Sequence, residues 1–168
     1  LADGTTSWTY PKSPDVIPTW SSAFEYQIIP WTLDSAGNES TGTIKSFIFD
    51  NVKPTSTVTL PIQARYYCVL PTISGTAFDG ISGVNRVRLL LQDDFTGKYY
   101  GWTGAEWDFA LDAPTWLTPA GITDWSYTGY ESKLIAGRRY RIATKSWDNS
   151  TPENEEVSYT IGVNSVTF

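Results

Sequence analysis

Carboxylates carry most of the catalytic potential of this sequence, because it contains no histidine and a single cysteine. Without an imidazole base, Cys68 lacks the partner that activates a thiol nucleophile in the common catalytic triads. Two pairs of acids remain, Asp93 with Asp94 and Glu106 with Asp108, and glycosidic hydrolysis uses two carboxyl groups. Acidic residues in turns are far more often solvated caps than acid–base pairs, so we expect that this protein is not an enzyme.

Oxygen-bearing side chains also suit calcium, which takes carboxylate and carbonyl ligands and stiffens the joints between β-sandwich modules. The candidate ligands are Asp34, Asp50, Asn51, Asp79, Asp148 and Glu153. None of them belongs to a dense run of ligands such as an EF-hand loop, and Asp and Asn stabilise turns without any metal. A calcium site and a set of metal-free turns both remain open, and no other cofactor is predicted.

Aromatic side chains are abundant, with eight tryptophans and ten tyrosines. Their densest cluster includes Tyr99, Tyr100, Trp102 and Trp107. Exposed flat rings stack on the faces of sugars, since an aromatic ring is both apolar and directional in its contacts. This cluster is therefore a candidate carbohydrate-binding platform. The alternative, which we favour, is a hairpin whose rings fold over the open end of a β-sandwich.

The charge balance excludes one class of partner. The formal charge is −6 at pH 7 and the sequence pI is about 4.5, so the field of the protein repels nucleic acid. No apolar run approaches the roughly 20 residues that a membrane-spanning helix needs, and no membrane insertion is predicted. The sequence begins with Leu1 and contains no methionine, so we expect an excerpt or a processed product of a longer protein.

Short apolar and aromatic runs alternate with turn residues along the whole chain. Thr, Ser, Gly, Pro, Asn and Asp punctuate these runs at short intervals, and helical periodicity is not sustained. Residues 86–91 and 139–144 alternate between apolar and polar side chains, as a strand with one buried face does. The pattern predicts an all-β sandwich or barrel.

One sequence pattern occurs twice. Residues 4–10 read G-T-T-S-W-T-Y and residues 121–127 read G-I-T-D-W-S-Y, and each is followed by a Y-x-I strand, an aspartate-led turn and a final strand. The corresponding positions are Tyr26, Ile28 and Asp34 with Tyr140, Ile142 and Asp148, and residues 46–49 with residues 158–161. Self-similarity in a fixed order indicates an array of modules. The first copy lacks the front half of the second.

Several short motifs resemble those of bacterial immunoglobulin-like tandem repeats. Residues 134–142 have the form L-x-x-G-x-x-Y-x-I, which puts Tyr140 where the tyrosine corner of such sandwiches lies. Residues 73–79, 82–84, 116–117, 125–127 and 34–38 are similar to the family's I-S-G-T-A-x-D, S-G-V, W-L, W-x-Y and D-x-A-G-N signatures. Residues 148–154 depart from the last of these. The resemblance implies an antiparallel immunoglobulin-like β-sandwich, related to fibronectin III and cadherin modules, in a large secreted or cell-surface protein.

The repeat and the resemblance together predict one complete module preceded by part of another. The complete module is expected at residues 54–168, and residues 1–53 are expected to hold a C-terminal half module and a short linker stiffened by proline. Lettered as in an immunoglobulin sandwich, the predicted strands are A at 56–60, B at 69–77, C at 85–92, E at 122–128, F at 139–146 and G at 156–168, with an aromatic hairpin at 98–109. The half module has strands E, F and G only.

Strands C and F pair in such a sandwich, which brings basic residues of both to one outer face. The residues expected in a single basic patch are Arg86, Arg88, Arg139 and Arg141. Like charges on neighbouring strands are unfavourable unless a partner lies between or opposite them. In one interpretation Glu155 and Glu156 neutralise the patch within the module, and in the other the patch docks an acidic face of another copy or subunit.

A half module with three strands cannot close a sandwich, and its edges are templates for pairing with another chain. The sequence is then an excerpt of a longer array, or a neighbouring subunit supplies the missing strands, or the half folds back onto the full module. We expect a non-catalytic spacer, adhesin stalk, or filament or surface-layer subunit of an extracellular bacterial protein, with adjacent modules or its own copies as partners. The alternative is a carbohydrate-binding module that uses the aromatic hairpin.

Overall fold

Two groups of strands make up the structure, a computed structural model that describes residues 2–10 and 16–168. Internal contacts divide the chain into an N-terminal unit, residues 1–50, and a C-terminal unit, residues 51–168. The boundary predicted from the sequence, after residue 53, falls slightly later. Residue 1 and residues 11–15 of the predicted half module lie outside the described residues.

Antiparallel strands supply the regular structure of the described residues, apart from one 3₁₀ helix at Glu131–Lys133. The prediction of an all-β protein is confirmed, and the antiparallel sheets are consistent with a β-sandwich.

The N-terminal unit consists of three small antiparallel pairs. Its strands are β1 (Asp3–Gly4), β2 (Trp8–Thr9), β3 (Glu25–Ile28), β4 (Trp31–Leu33), β5 (Glu39–Thr41) and β6 (Lys45–Ile48). Strand β1 pairs with β2, β3 with β6 and β4 with β5. Pro30 lies between β3 and β4 and has no N–H to donate to a ladder, so the second strand expected in this unit is divided in two.

The C-terminal unit contains two larger sheets. The first sheet has the order β12-β8-β7, and the second has the order β11-β10-β9-β13-β14. Their strands are β7 (Thr55–Leu60), β8 (Ile73–Phe78), β9 (Val84–Asp93), β10 (Tyr99–Trp102), β11 (Trp107–Leu111), β12 (Asp124–Tyr127), β13 (Tyr140–Asp148) and β14 (Ser165–Thr167). The expected pairing of predicted strands C and F is present as the ladder between β9 and β13.

One apolar core fills the C-terminal unit. Strand β13 alternates inward and outward, and its inward residues Tyr140 and Ile142 lie against Leu89 and Leu91 of β9. The first sheet contributes the remaining inner layer. Its buried members are Val58 of β7, Ile73 and Ala77 of β8, and Trp125 of β12. Burial of these side chains stabilises the unit by roughly 1.5–3 kcal/mol for each large one.

Two predicted strand boundaries are wrong. The strand expected over residues 69–77 begins only at Ile73, because Pro71 cannot donate a ladder hydrogen bond. The strand expected over residues 156–168 is limited to Ser165–Thr167. Gly162, at a φ of 82°, turns the chain ahead of this strand.

Glu156 explains why the segment before β14 is not a strand. Its side chain is buried, and its carboxylate accepts hydrogen bonds from the backbone N–H and hydroxyl of Ser56 and of Ser146, at 2.6–3.1 Å. Asn164 Nδ2 donates a fifth hydrogen bond to it at 2.7 Å. A buried carboxylate is tolerated only when its lone pairs are satisfied. This network, together with single backbone hydrogen bonds from Glu156 N to the carbonyl of Ser146 and from Thr144 N to that of Asn164, therefore holds residues 156–164 against β7 and β13 without a continuous ladder.

Candidate functional site

The tip of the aromatic hairpin presents two tryptophans to solvent. Trp102 and Trp107 are partners across the β10–β11 ladder and so lie on one face of the hairpin. Their ring centroids are 6.1 Å apart and their planes are inclined by 59°. The two residues are 53% and 45% exposed. The structure thus brings two of the four predicted sugar-contacting residues together outside the core.

The base of the same hairpin belongs to the core. Tyr100 is buried, its ring centroid lies 5.1 Å from that of Phe109, and its hydroxyl donates a 2.8 Å hydrogen bond to the carbonyl of Gly129. Tyr99 is half-buried. Burial raises the pKa of Tyr100 above its usual value. The base of the hairpin therefore packs on the β-sandwich core, as one alternative expects, whereas its tip exposes the rings that the carbohydrate-binding alternative needs.

Charged groups flank Trp107 on both sides in the sequence. Lys133, in the 3₁₀ helix, donates a 2.6 Å hydrogen bond to Glu106 Oε2, and its ammonium lies 3.8 Å from Asp108 Oδ2. The hydrogen bond to Glu106 raises the pKa of Lys133, which keeps the ammonium charged. Sequence reasoning missed Lys133, because it lies far from the hairpin along the chain.

The four arginines do not form one basic patch. In the β9–β13 ladder Arg86 is opposite Trp147, whereas Arg141 is opposite Gln92, near the other end of β9. Because a strand advances about 3.3 Å per residue, the two pairs of arginines are separated along the sheet. The prediction of a single patch is wrong, since the antiparallel register places the pairs at opposite ends.

Each arginine also has a partner within the C-terminal unit. Arg139 Nε lies 2.8 Å from Asp94 Oδ2, and Arg141 lies 3.5 Å from the other oxygen of Asp94. Arg86 pairs with Glu153, and its guanidinium lies over the Trp147 ring. Arg88 donates to the hydroxyl of Thr118.

The acids expected to neutralise the arginines do something else. Glu155 pairs with Lys145 at 2.7 Å, and Glu156 belongs to the buried network with Ser56 and Ser146. Exposed ion pairs contribute little to stability. The assignment of neutralisation to Glu155 and Glu156 is therefore wrong. Asp94 and Glu153 neutralise three of the four arginines within the C-terminal unit, and Arg88 is bonded to a hydroxyl.

Two of the calcium candidates are turn residues whose carboxylates accept hydrogen bonds from within the turn. Asp34 Oδ1 accepts from the backbone N–H of Ala36 and Asn38, and its Oδ2 accepts from the side-chain amide of Asn38. Asp148 is buried and makes the corresponding hydrogen bonds to Asn154. The side-chain hydrogen bond from Asn38 lowers the pKa of Asp34. These hydrogen bonds stabilise both turns, and calcium binding at either residue stays a prediction.

Asp79 has one carboxylate oxygen without a hydrogen-bond partner in the described part of the chain. Its Oδ1 accepts from the backbone N–H groups of Ile81, Ser82 and Gly83 at 2.9–3.0 Å, whereas the buried Oδ2 has no hydrogen bond. Carboxylate oxygens of Asp79 and Asp148 lie within 4.8 Å of each other. Asp50 ends the N-terminal unit and Asn51 begins the C-terminal one. Calcium binding at Asp79 stays a prediction.

The two copies of the repeated pattern share their hydrogen bonds. The hydroxyl of Tyr26 accepts from the backbone N–H of Ser21, and that of Tyr140 from the backbone N–H of Ile135, each at 2.7 Å and five residues upstream. The backbone N–H of Asp34 donates to the carbonyl of Asn38 at 3.0 Å, and Asp148 donates to Asn154 at 3.3 Å. Equivalent side chains thus perform equivalent tasks in both units.

Gly4 and Gly121 are also matched in geometry. Both have positive φ, 105° and 84°. A Cβ on Gly4 would lie 2.0 Å from the carbonyl oxygen of Ser7, and one on Gly121 would lie 2.1 Å from that of Asp124. Only glycine fits such a turn, which explains why glycine opens both copies of the pattern.

The residues that correspond in the final strands of the two copies differ from those matched by sequence. Tyr26 is opposite Phe47 in the β3–β6 ladder, and Tyr140 exchanges backbone hydrogen bonds with Phe168. Phe47 therefore corresponds to Phe168. The predicted match of residues 46–49 with residues 158–161 is wrong, because residues 156–164 are held by the Glu156 network before β14 begins.

The β3–β6 pair has one face that carries most of its apolar side chains and is only partly covered. Among the aromatic rings, that of Trp20 lies over this face, with its centroid 4.6 Å from that of Tyr26 and 5.3 Å from that of Phe47. Opposite positions place Tyr26 and Phe47 on the same face as Phe24, Ile28 and Lys45. Glu25, Gln27, Ser46 and Ile48 lie on the other face. Phe24 is 63% and Ile28 46% exposed, although the matching Ile142 is fully buried. Among residues 2–10 and 16–50, no residue is buried.

An open cavity of about 1220 Å³ lies at the end of the C-terminal unit where β13 begins. It is lined by residues 63–70, 131–132 and 134–140 together with Thr167 and Phe168. Tyr66 and Cys68 are exposed there. Sequence reasoning did not find this cavity, since it treated residues 69–72 as part of a strand.

The carboxylates considered for catalysis are paired with cations. Asp93 lies 2.6 Å from the guanidinium of Arg138, and Asp94 contacts Arg139. Lys133 holds Glu106 and lies near Asp108.

No protein-family model matches this chain, and neither a curated protein nor a solved structure matches it. In residues 2–10 and 16–168, no helix has the length and apolar character needed to cross a membrane.

Proposed function

We propose that this protein is a non-catalytic structural or assembly module of an extracellular bacterial repeat protein, in which one immunoglobulin-like sandwich follows half of another. The observation that carries the proposal is a contrast. The N-terminal unit repeats the turn at Gly4, the corner at Tyr26 and the turn at Asp34, yet none of its described residues is buried. The N-terminal unit thus has residues of the types that form the core of the C-terminal unit, but it does not bury them. It needs further strands to cover these residues.

The strand order of the C-terminal unit supports an immunoglobulin-like topology. Strands β12, β8 and β7 correspond to E, B and A of such a sandwich, and β10, β9, β13 and β14 correspond to C′, C, F and G. By the correspondence of Tyr26 with Tyr140, β3 takes the place of strand F.

The same correspondence specifies what completes the N-terminal unit. Strand β13 pairs with β9 on one edge and with β14 on the other. Strand β3 pairs with β6 on one edge, so its other edge calls for a strand of the β9 type, with apolar residues at alternate positions. Such a strand comes from a neighbouring module or from a neighbouring subunit. Head-to-tail supply between subunits produces a filament or layer, because contacts of this kind do not close.

A spacer, stalk or filament role needs no catalytic group. The ion pairs of Asp93 and Asp94 with arginines, and the contact of Glu106 with Lys133, support a stabilising rather than a catalytic use of these acids. The extracellular bacterial setting rests on the motifs that resemble bacterial immunoglobulin-like repeats.

A hybrid chain tests the proposal. Residues 54–119 would be joined ahead of residues 3–50, so that Asp3 takes the place of Ala120. The proposal predicts cooperative unfolding and slow amide exchange at Tyr26 and Phe47 of the hybrid. The matched control is Ile28→Asp, which should prevent folding of the hybrid but leave the unfolding of residues 51–168 in the natural chain unchanged. A hybrid that stays unprotected at Tyr26 and Phe47 would contradict the proposal.

A further inference from the structure

We propose that the tip of the β10–β11 hairpin is a carbohydrate-binding site in which Trp102 and Trp107 hold a pyranose unit of a soluble neutral polysaccharide. This site is independent of how the N-terminal unit is completed, since every residue concerned belongs to the C-terminal unit.

The two indoles are on the inward-facing side of the hairpin, beyond the edge of the core. Trp102 and Trp107 follow Tyr100 and Phe109 at alternate positions, and residues two apart on a strand share a face. Tyr100 is 1% exposed, whereas both tryptophans are about half exposed. The hairpin is therefore longer than its core requires, and the additional length carries two large rings into water.

Contacts within the hairpin hold the Trp107 ring and order the turn between the two tryptophans before any ligand binds. The Trp107 ring stacks on Tyr100, with centroids 5.9 Å apart and planes inclined by 24°. In the turn, Thr103 N donates to the carbonyl of Glu106, and Glu106 N donates to the hydroxyl of Thr103. Gly104 at a φ of 98° lets the chain reverse. A rigid site loses little conformational entropy on binding.

The chemistry beside the rings fits hydroxyl groups. A carboxylate has about four lone-pair sites, and Lys133 occupies one oxygen of Glu106 at 2.6 Å. Glu106 therefore retains acceptors for sugar hydroxyls, while Lys133 supplies a donor. Apolar ring faces with a few placed polar groups are typical of small-ligand sites.

The ring geometry and the charge select among ligands. Planes inclined by 59° bound a corner, which encloses a single sugar unit and does not match the flat surface of a packed fibre. The acids Glu106 and Asp108 and the chain's net charge of −6 disfavour uronate polymers and phosphate-rich membranes. A protein partner is less well matched, because a stable protein interface buries about 800 Å² on each side, far more than two indoles provide.

The experiment is a titration of the full chain with neutral oligosaccharides. The probes are maltohexaose, cellohexaose, xylohexaose and N-acetylchitohexaose, followed by the indole N–H resonances and by calorimetry. At least one of these sugars is expected to shift the Trp102 and Trp107 signals. Trp102→Ala should weaken binding about tenfold or more, as truncation of a central aromatic contact does. Trp31→Ala is the matched control, since Trp31 is 54% exposed in the N-terminal unit, and it should change the affinity less than twofold.

Three outcomes would overturn the proposal. The first is that none of the four sugars shifts the indole signals of Trp102 and Trp107. The second is binding that Trp102→Ala and Trp107→Ala leave intact. The third is a tip that responds only to polygalacturonate, to phosphatidylglycerol vesicles or to self-association in sedimentation, each of which would assign this surface to another partner.

Discussion

The hydroxyls of Tyr26 and Tyr140 accept the same hydrogen bond, from the backbone N–H of the residue five positions upstream and over the same distance of 2.7 Å. Tyr140 is buried, and its ring lies near Phe109 and Phe168, whereas Tyr26 contacts only Trp20 and Phe47 among the aromatic rings of the described residues. The corner is thus the same in both units, but only one of them has a core behind it.

Removing this hydroxyl should have unequal effects in the two units. Tyr140→Phe leaves the backbone N–H of Ile135 without its acceptor, so we expect the free energy of unfolding of the C-terminal unit to fall by about 1–2 kcal/mol. Tyr26→Phe should change that free energy by less than about 0.5 kcal/mol. Urea unfolding followed by the signal of the buried Trp125 measures both variants. Equal losses would show that the two corners depend on a common core.

The buried carboxylate of Glu156 should be far more important than that of its neighbour. All of its described partners on Ser56, Ser146 and Asn164 act as donors, and the amide nitrogen of glutamine cannot accept from them. We expect Glu156→Gln to lower the free energy of unfolding by about 2–4 kcal/mol. Glu155→Gln, which breaks only an ion pair with Lys145, should cost less than about 1 kcal/mol. A harmless Glu156→Gln in urea unfolding would contradict the described network.

Gly75 should tolerate no side chain, because the Trp125 ring lies directly over it. A Cβ at this position would be 1.9 Å from the carbonyl oxygen of Thr57 and 2.2 Å from Trp125 Cζ2. We expect Gly75→Ala to lower the free energy of unfolding by about 3 kcal/mol, as severe overpacking does. Gly80→Ala is the control, since its nearest neighbour would be the Phe78 ring at an ordinary 3.5 Å. Thermal unfolding of both variants measures the difference. A Gly75→Ala protein as stable as the parent would contradict the close packing of Trp125 and Thr57 on Gly75.

Acid should destabilise the C-terminal unit through Asp148. Burial by itself would raise the pKa of Asp148, but hydrogen bonds from Ser150 and Asn154 outweigh burial and lower the pKa below the usual 3.8. A carboxyl whose pKa is lower in the folded state stabilises the fold above pH 3.8, and this contribution disappears as the pH falls through the folded-state pKa. Asp148→Asn should therefore lose less stability between pH 5 and pH 2.5 than the parent. The measurement is the free energy of unfolding across this pH range, with Asp112→Asn, at an exposed position, as the control. If this free energy depends on pH in the same way for Asp148→Asn and the parent, Asp148 is not the group responsible.

The sequence predicted local features better than it predicted the relation between distant residues. Short-range rules on burial and backbone freedom, which depend only on residues close in sequence, account for three of these features. They are the alternation in β9 and β13, the glycines of the two turns and the corner at Tyr140. The glycine of I-S-G-T-A also has a clear reason once Trp125 is seen to cover Gly75.

Long-range register and side-chain partners were not predictable in the same way. Arg86 and Arg141 are separated because of the register between β9 and β13, and no local sequence pattern reveals that register. Glu156 was expected to neutralise the arginines together with Glu155, because nothing nearby in the sequence indicates its partners on β7. Lys133 contacts Glu106 at the hairpin tip only because the 3₁₀ helix packs beside the hairpin. Of the four aromatic residues proposed for sugar contact, burial separated Tyr100 from the two tryptophans.

Amide hydrogen exchange of the natural chain tests the central claim most directly. The measurement compares β3 and β6 with β9 and β13 by NMR, at a concentration where sedimentation shows a monomer. Because the N-terminal unit has no buried residue in its described part, its amides should exchange through low-energy local opening, at least about a hundredfold faster than those of the C-terminal core. Equal protection of Tyr26 and Tyr140 in the monomer would contradict the account, since the N-terminal unit would then close without strands from elsewhere.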